Sequence, residues 1–252
     1  MAVYYNVRPI PSIVKVILDP SKGRFSNNSA ANLLDASDSG ISLVGGSIVN
    51  SGSGTFDFDG TNSMGVANST NTNNVDNVTD LTHCMWVRCI NTGSSEAQMI
   101  WEEGGASNGL NLYIYSGSLV GGIWSESDSW AGQWVSQSHA GERGDLELGR
   151  WYHVCVGLVG AGSTLTTDAG KFYVDGELIT TFDATWLSSH TGDIEMGAPG
   201  GTGPWQPNTD IGTADGWNLS GSIGVVVRTN EDSLTDLQVR QIYESQRGRY
   251  PL

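Results

Sequence analysis

The sequence predicts an all-β protein, a two-sheet antiparallel sandwich with one short helix near its C-terminus. Three observations carry this. Short apolar runs rich in β-branched and aromatic residues recur from residue 13 to residue 242. Glycine is abundant, at 34 residues, as many tight turns between short strands require. The chain has 252 residues, of which 38% are hydrophobic and only 15% charged, which suits one large apolar core.

Residues 1–12 read as an extended arm, because Pro9 and Pro11 fix φ and remove amide donors. Residues 13–252 form the single domain. IVKVIL at 13–18 is a strand by its β-branched content. After a polar stretch, ISLVGGSIV and TFDFDG supply two more; Phe56 and Phe58 alternate with Asp57 and Asp59, the period of a half-buried strand. The Asn-rich segment 68–80 is a surface loop. Strands follow over 83–90, 98–102, 110–115, 118–124 and 151–159. Strands 171–174 and 177–182 flank Asp175-Gly176, a hairpin signal, and strands 192–197 and 221–228 complete about a dozen. Ser233, with Asp236 three residues on, predicts a helix N-terminus. Leu234, Leu237, Ile242 and Tyr243 are placed on the face that meets the sandwich.

Charge excludes some functions. Twelve basic residues against 27 acidic ones give a formal charge of −15, so phosphate backbones and anionic membranes are repelled. No run reaches the roughly 18 apolar residues of a spanning helix. The first residues lack a basic segment followed by an apolar one, so a chain beginning here is expected to be made in a cytoplasm and not exported. Cys84, Cys89 and Cys155 are odd in number and none is paired at zinc-ligand spacing, so no disulfide framework is expected.

The order of motifs carries a resemblance. FDG (58–60), MWVR (85–88), NGLNLYI (108–114), GRWYHVCV (149–156) and KFYVDGEL (171–178) come first. GDIEMG (192–197), GSIGVVVR (221–228) and LTDLQVRQIY (234–243) follow. Together they resemble the laminin G-like modules of the concanavalin A-like lectin/glucanase jelly rolls. The opening IVKVILDPSKG and NLLDASDSG are similar to such domains in bacteriophage structural proteins. The resemblance implies a concanavalin A-like jelly roll and a non-catalytic virion surface protein, either a capsid decoration or a tail-associated module. The partners it implies are virion proteins, host glycans and further copies of the chain. A lectin or carbohydrate-binding module outside any virus, extracellular in location, and a glycoside hydrolase are the alternatives.

Candidate residues divide the same way. Hydrolases of this fold need two carboxylates; Asp193 and Glu195 share one strand face at i, i+2, but no further acid completes the pattern, so no catalytic residue is assigned. The resemblance also implies one calcium near FDG, held by Asp59. The second acidic ligand of such sites falls at Gly224, which has no carboxylate. Tryptophan is the more informative residue type. Trp124, Trp130, Trp134, Trp205 and Trp217 lie in or beside two long segments, 125–150 and 198–219. Long loops often bind ligands, and indole rings stack on sugars or anchor proteins, so these five are the candidate ligand-binding residues.

Overall fold

A computed structural model describes residues 14–21, 43–44, 54–66, 76–91, 97–104, 108–115, 117–125, 134–135, 146–190, 194–199 and 217–251. These contain strands β1 (Val14–Leu18), β2 (Leu43–Val44), β3 (Phe56–Asp59), β4 (Met64–Val66), β5 (Leu81–Cys89), β6 (Gln98–Gly104) and β7 (Asn108–Tyr115). Then come β8 (Ser118–Ser125), β9 (Trp134–Val135), β10 (Trp151–Leu158), β11 (Thr166–Val174), β12 (Glu177–Ala184), β13 (Ile194–Met196) and β14 (Ser220–Asn230). One helix, α1 (Asp236–Gln246), follows. The arm expected over residues 1–12 lies outside the described residues.

The strands form two antiparallel sheets. The first runs β1-β14-β5-β10-β11-β12, with β3 also pairing β14; the second runs β2-β4-β13-β6-β7-β8-β9. Neighbours in sequence are often distant in the sheet, as in β5 between β14 and β10, so the two layers are knitted by crossovers. Strand alternation sends Met85, Val87, Val154, Val156 and Phe172 inward from one sheet. It sends Ile100, Leu110, Leu112, Ile123, Ile194 and Met196 inward from the other. β3 follows the expected period, with Phe56 and Phe58 buried and Asp59 exposed. β9 lies in a segment expected to be a loop; at three and two residues β4 and β9 are too short to show a period. Asp175 and Gly176 have φ of 52° and 77°, the left-handed pair that a two-residue hairpin needs.

The helix begins two residues later than its expected cap. Thr235 is the N-cap, and the box closes with Gln238: its amide donates to Thr235 Oγ1 at 3.3 Å, while Gln238 Oε1 accepts from the Thr235 amide at 2.8 Å. Gln reaches back where Asp236 is too short. The buried face is Val239 and Tyr243, four apart, so Leu237 is left 66% exposed.

This C-terminal segment seals the outer face of the first sheet. The Trp86 indole lies between the rings of Tyr243 and Tyr250, at 5.6 and 4.7 Å, and its Nε1 donates to Gln246 Oε1 at 2.7 Å. Tyr250 sits against Gly224, where an added Cβ would fall 2.6 Å from the ring, so only glycine admits it. The Val225 amide donates to the Tyr250 hydroxyl at 2.8 Å. Tyr250→Phe is therefore expected to strand a buried amide and cost about 1–2 kcal/mol, read as a shifted urea midpoint with unchanged slope. Arg249 grips the buried Asp19 with two bonds of 2.8 and 3.1 Å, tying the segment to the end of β1.

One expectation is overturned here. Cys84 and Cys155 stand directly opposite one another in β5 and β10, with Cα atoms 4.1 Å apart, and are joined by a disulfide. They are 71 residues apart in sequence, so only sheet register brings them together. Cys89 is the free, buried thiol.

Candidate functional site

The sandwich has two outer faces, and they differ. That of the first sheet is closed by α1 and Tyr250. That of the second sheet carries a polar row that the register defines. Glu195 pairs with Gly65 on one side and Glu102 on the other. Glu102 pairs with Asn111, Asn111 with Gly122, and Gly122 with Trp134. Residues directly opposite in an antiparallel pair project to the same side. Their neighbours Trp101, Leu112, Ile194 and Met196 are inward-facing core residues, so Glu195, Glu102 and Asn111 project outward. Glu102 and Asn111 are fully buried, and Glu195 is half-buried. Opposed side chains of this kind have Cβ atoms about 4.5–5.5 Å apart. Beside the row on the same face lie Met99, Tyr113, Val120 and Trp217, all buried.

The five tryptophans distribute unevenly. Trp134 stands in β9 at the end of the row, and Trp124 in β8 opposite Gly109. Trp130 and Trp205 lie outside the described residues. Trp217 is packed down onto this outer face: it is 2% exposed, its ring centroid is 5.8 Å from that of Tyr113, and its carbonyl accepts from the Met99 amide at 2.8 Å. Its ring serves the floor of this face, as a large aromatic does when an apolar surface is available to cover.

Asp193 lies outside the described residues, so its pairing with Glu195 is not described. Asp57 is a structural acceptor, taking hydrogen bonds from Thr55 Oγ1 at 3.0 Å and Ser222 Oγ at 2.7 Å. Asp59 is exposed, and its Oδ1 accepts from the Thr61 amide at 2.9 Å and hydroxyl at 2.8 Å. Those two donors hold its carboxyl below the usual carboxylate range. Among the described residues no group of three acidic, histidine or cysteine ligands includes Asp59. The Gly224 position is taken up by Tyr250. Asp59 caps its turn, and a calcium there would draw its remaining oxygens from backbone carbonyls and water.

Glu102, Asn111, Glu103 and Arg228 stand out only in three dimensions. The available signal was the acidic pair in W-E-E-G at 101–104: alternation on a strand must send one carboxylate inward and one outward. Glu103 is the inward one. Arg228 of β14 crosses the core to it, with Nη1 donating to Oε2 at 2.6 Å and Nη2 to Oε1 at 2.9 Å. Trp101 Nε1 also donates to Glu103 Oε2, at 3.0 Å, and His190 Nε2 lies 3.6 Å from Oε1, beyond hydrogen-bond reach. Arg228 Nε donates to Asn230 Oδ1 at 3.0 Å. This network bolts the two sheets together directly beneath the outer row.

Comparison with known proteins accords with this architecture. Residues 36–210 match the family model described as the concanavalin A-like lectin/glucanases superfamily. No curated protein matches. Among solved structures, the ligand-binding domain of botulinum neurotoxin serotype D in complex with N-acetylneuraminic acid is similar, with a TM-score of 0.63 at 14% identity. The alignment covers 93% of this chain and 51% of that one. The binding domain of botulinum neurotoxin DC in complex with rat synaptotagmin II is similar at a TM-score of 0.61 and 14% identity, covering 92% of this chain and 51% of that one. The chain thus spans about half the length of the solved structures it matches. With two antiparallel sheets closed over one core and the family model spanning residues 36–210, the chain belongs to the concanavalin A-like lectin/glucanases superfamily.

Proposed function

We propose that this is a non-catalytic binding module that holds a glycan or a protein receptor on the outer face of its second sheet. One observation carries the reading. Among the described residues, the first outer face is covered by α1 and Tyr250, and the second carries a polar row of Glu195, half-buried, with Glu102 and Asn111, fully buried, whose register runs on to the Trp134 backbone. Carboxylates and an amide accept from and donate to sugar hydroxyls. Two similar structures are complexes with N-acetylneuraminic acid and with synaptotagmin II, which supports ligand binding on this kind of scaffold. The virion setting, as a capsid decoration or tail-associated part that also contacts neighbouring virion proteins, is supported by the phage-like opening sequence. Immunogold labelling of assembled particles tests it.

The binding test is a glycan array of sialylated and neutral oligosaccharides, followed by calorimetry on any hit. Glu195→Gln and Trp134→Ala are each expected to weaken binding about tenfold, roughly 1.4 kcal/mol. Tyr250→Phe, on the opposite face, should leave it unchanged. Binding that ignores both row variants would move the site elsewhere.

A hydrolase is the second reading, and the Glu195–Glu102 opposition is what favours it. Retaining glycosidases hold two carboxyl groups close together, and the register sets these two side chains side by side. Release of reducing ends from β-glucans by the parent chain, abolished in Glu195→Gln, would establish this reading against the first.

A further inference from the structure

The face sealed by α1 holds a cluster of metal-binding side chains that the proposed receptor site does not use. Cys155 lies opposite Cys84 in register, and His153, two residues before Cys155, projects to the same side of β10. All three are buried, under Trp86, Tyr243 and Tyr250. The His153 ring nitrogens lie 3.8 and 3.9 Å from Cys155 Sγ, and the three ligand atoms fall within 4.8 Å of one another. A zinc ion with tetrahedral bonds of about 2.0–2.3 Å sets its ligand atoms about 3.3–3.8 Å apart, so small side-chain rotations suffice.

We propose that Cys84, Cys155 and His153 are a zinc site in the dithiol state, the disulfide and the zinc dithiolate being alternative states of one cluster. Charge supports zinc. Two thiolates balance Zn²⁺ and a neutral imidazole adds nothing, so the loaded centre carries no net charge into an apolar surround. Three protein ligands leave the fourth tetrahedral position to water. The interconversion balances. A phosphine reductant gives two electrons to the S–S bond, which takes up two protons to become two thiols, and the phosphine leaves as its oxide with oxygen from water. Zinc then displaces the two thiol protons to solvent, with no change in its own oxidation state. The loaded site ties β5 to β10 beneath α1 in a reducing compartment, as the disulfide does in an oxidising one.

The test uses the full chain, reduced anaerobically with a phosphine, mixed with zinc, desalted and measured for bound metal. Cobalt substitution gives a thiolate charge-transfer band as an independent signature. Reduced wild type is expected to retain one zinc per chain, and the oxidised chain less than a tenth of that. Cys155→Ser and His153→Gln should each weaken retention at least tenfold, whereas Cys89→Ser should retain zinc fully. The proposal is overturned if reduced, folded wild type retains none, or if both cluster variants retain as much as wild type. Loss of the near-ultraviolet dichroism on reduction, unrecovered with zinc, overturns it as well. If Cys155→Ser does not fold, His153→Gln and the cobalt band carry the test.

Discussion

Arg228→Ala is expected to destabilise the fold by about 3–5 kcal/mol, the usual cost of removing one partner of a buried ion pair. The guanidinium is 1% exposed and the Glu103 carboxylate 0%. Deleting the arginine leaves that carboxylate in the core with Trp101 Nε1 at 3.0 Å as its closest remaining donor. Unfolding in urea at pH 7 measures the loss as a drop in midpoint at constant slope. The pair itself is not the source of net stability, because both ions were desolvated to form it. Arg228→Met combined with Glu103→Leu is therefore expected to recover most of what the single change loses. A single variant within about 1 kcal/mol of wild type would mean that water or a shifted His190 satisfies Glu103, and the bolt between the sheets would lose its meaning.

Acid is expected to weaken the fold from about pH 6.5 downward, and His83 carries an identifiable share. Its ring is fully buried, 4.3 Å from that of Trp101, and among the described residues neither nitrogen has a hydrogen-bond partner. Burial, aided by the positive charge of Arg228 and opposed by Glu103, pushes it down to about 3. The groups facing it are Arg228 on the neighbouring strand β14 and Glu103 on β6 of the opposite sheet, with His190 beyond at Glu103. The sign follows from proton counting. Between about 3 and 6.5 the unfolded histidine binds a proton that the folded one refuses, so stability is complete above 6.5 and falls as pH drops. The slope is about 1.4 kcal/mol per pH unit for this one group. Glu103 adds a second, lower window. Burial alone would raise its pKa, but Arg228, with His190 behind it, holds it at about 2 against an ordinary 4.5, so its contribution is lost from about 4.5 toward 2. Urea midpoints at pH 7, 5.5 and 4.5 for wild type and His83→Phe separate the two, since the variant should show a profile shallower by one proton above pH 4.5. Parallel profiles would show that His83 titrates normally.

What was legible in the sequence follows from what is local. Strand β3 shows its period in FDFD because half-burial is written residue by residue. The β11–β12 hairpin is legible because Asp175-Gly176 adopts a backbone that few other pairs tolerate. The helix was legible in existence but its start was misplaced by two residues, because the capping box depends on side-chain reach, which Gln238 has and Asp236 lacks. Trp217 shows the limit for aromatics. Its Gly- and Asp-rich surroundings argue for exposure, yet the ring has Tyr113 and Met99 to cover.

The sequence by itself determined the all-β class, most of the strands, the presence of one C-terminal helix and, through the order of its motifs, the superfamily. Those depend on short-range periods and turn chemistry. The tertiary structure alone decided which residues meet. Register set Glu195 beside Glu102 and Cys84 beside Cys155, and packing of one sheet on the other brought Arg228 to Glu103. Such pairings join positions as many as 125 residues apart, and the energy that selects them belongs to the burial of both sheets at once, which no local stretch of sequence contains.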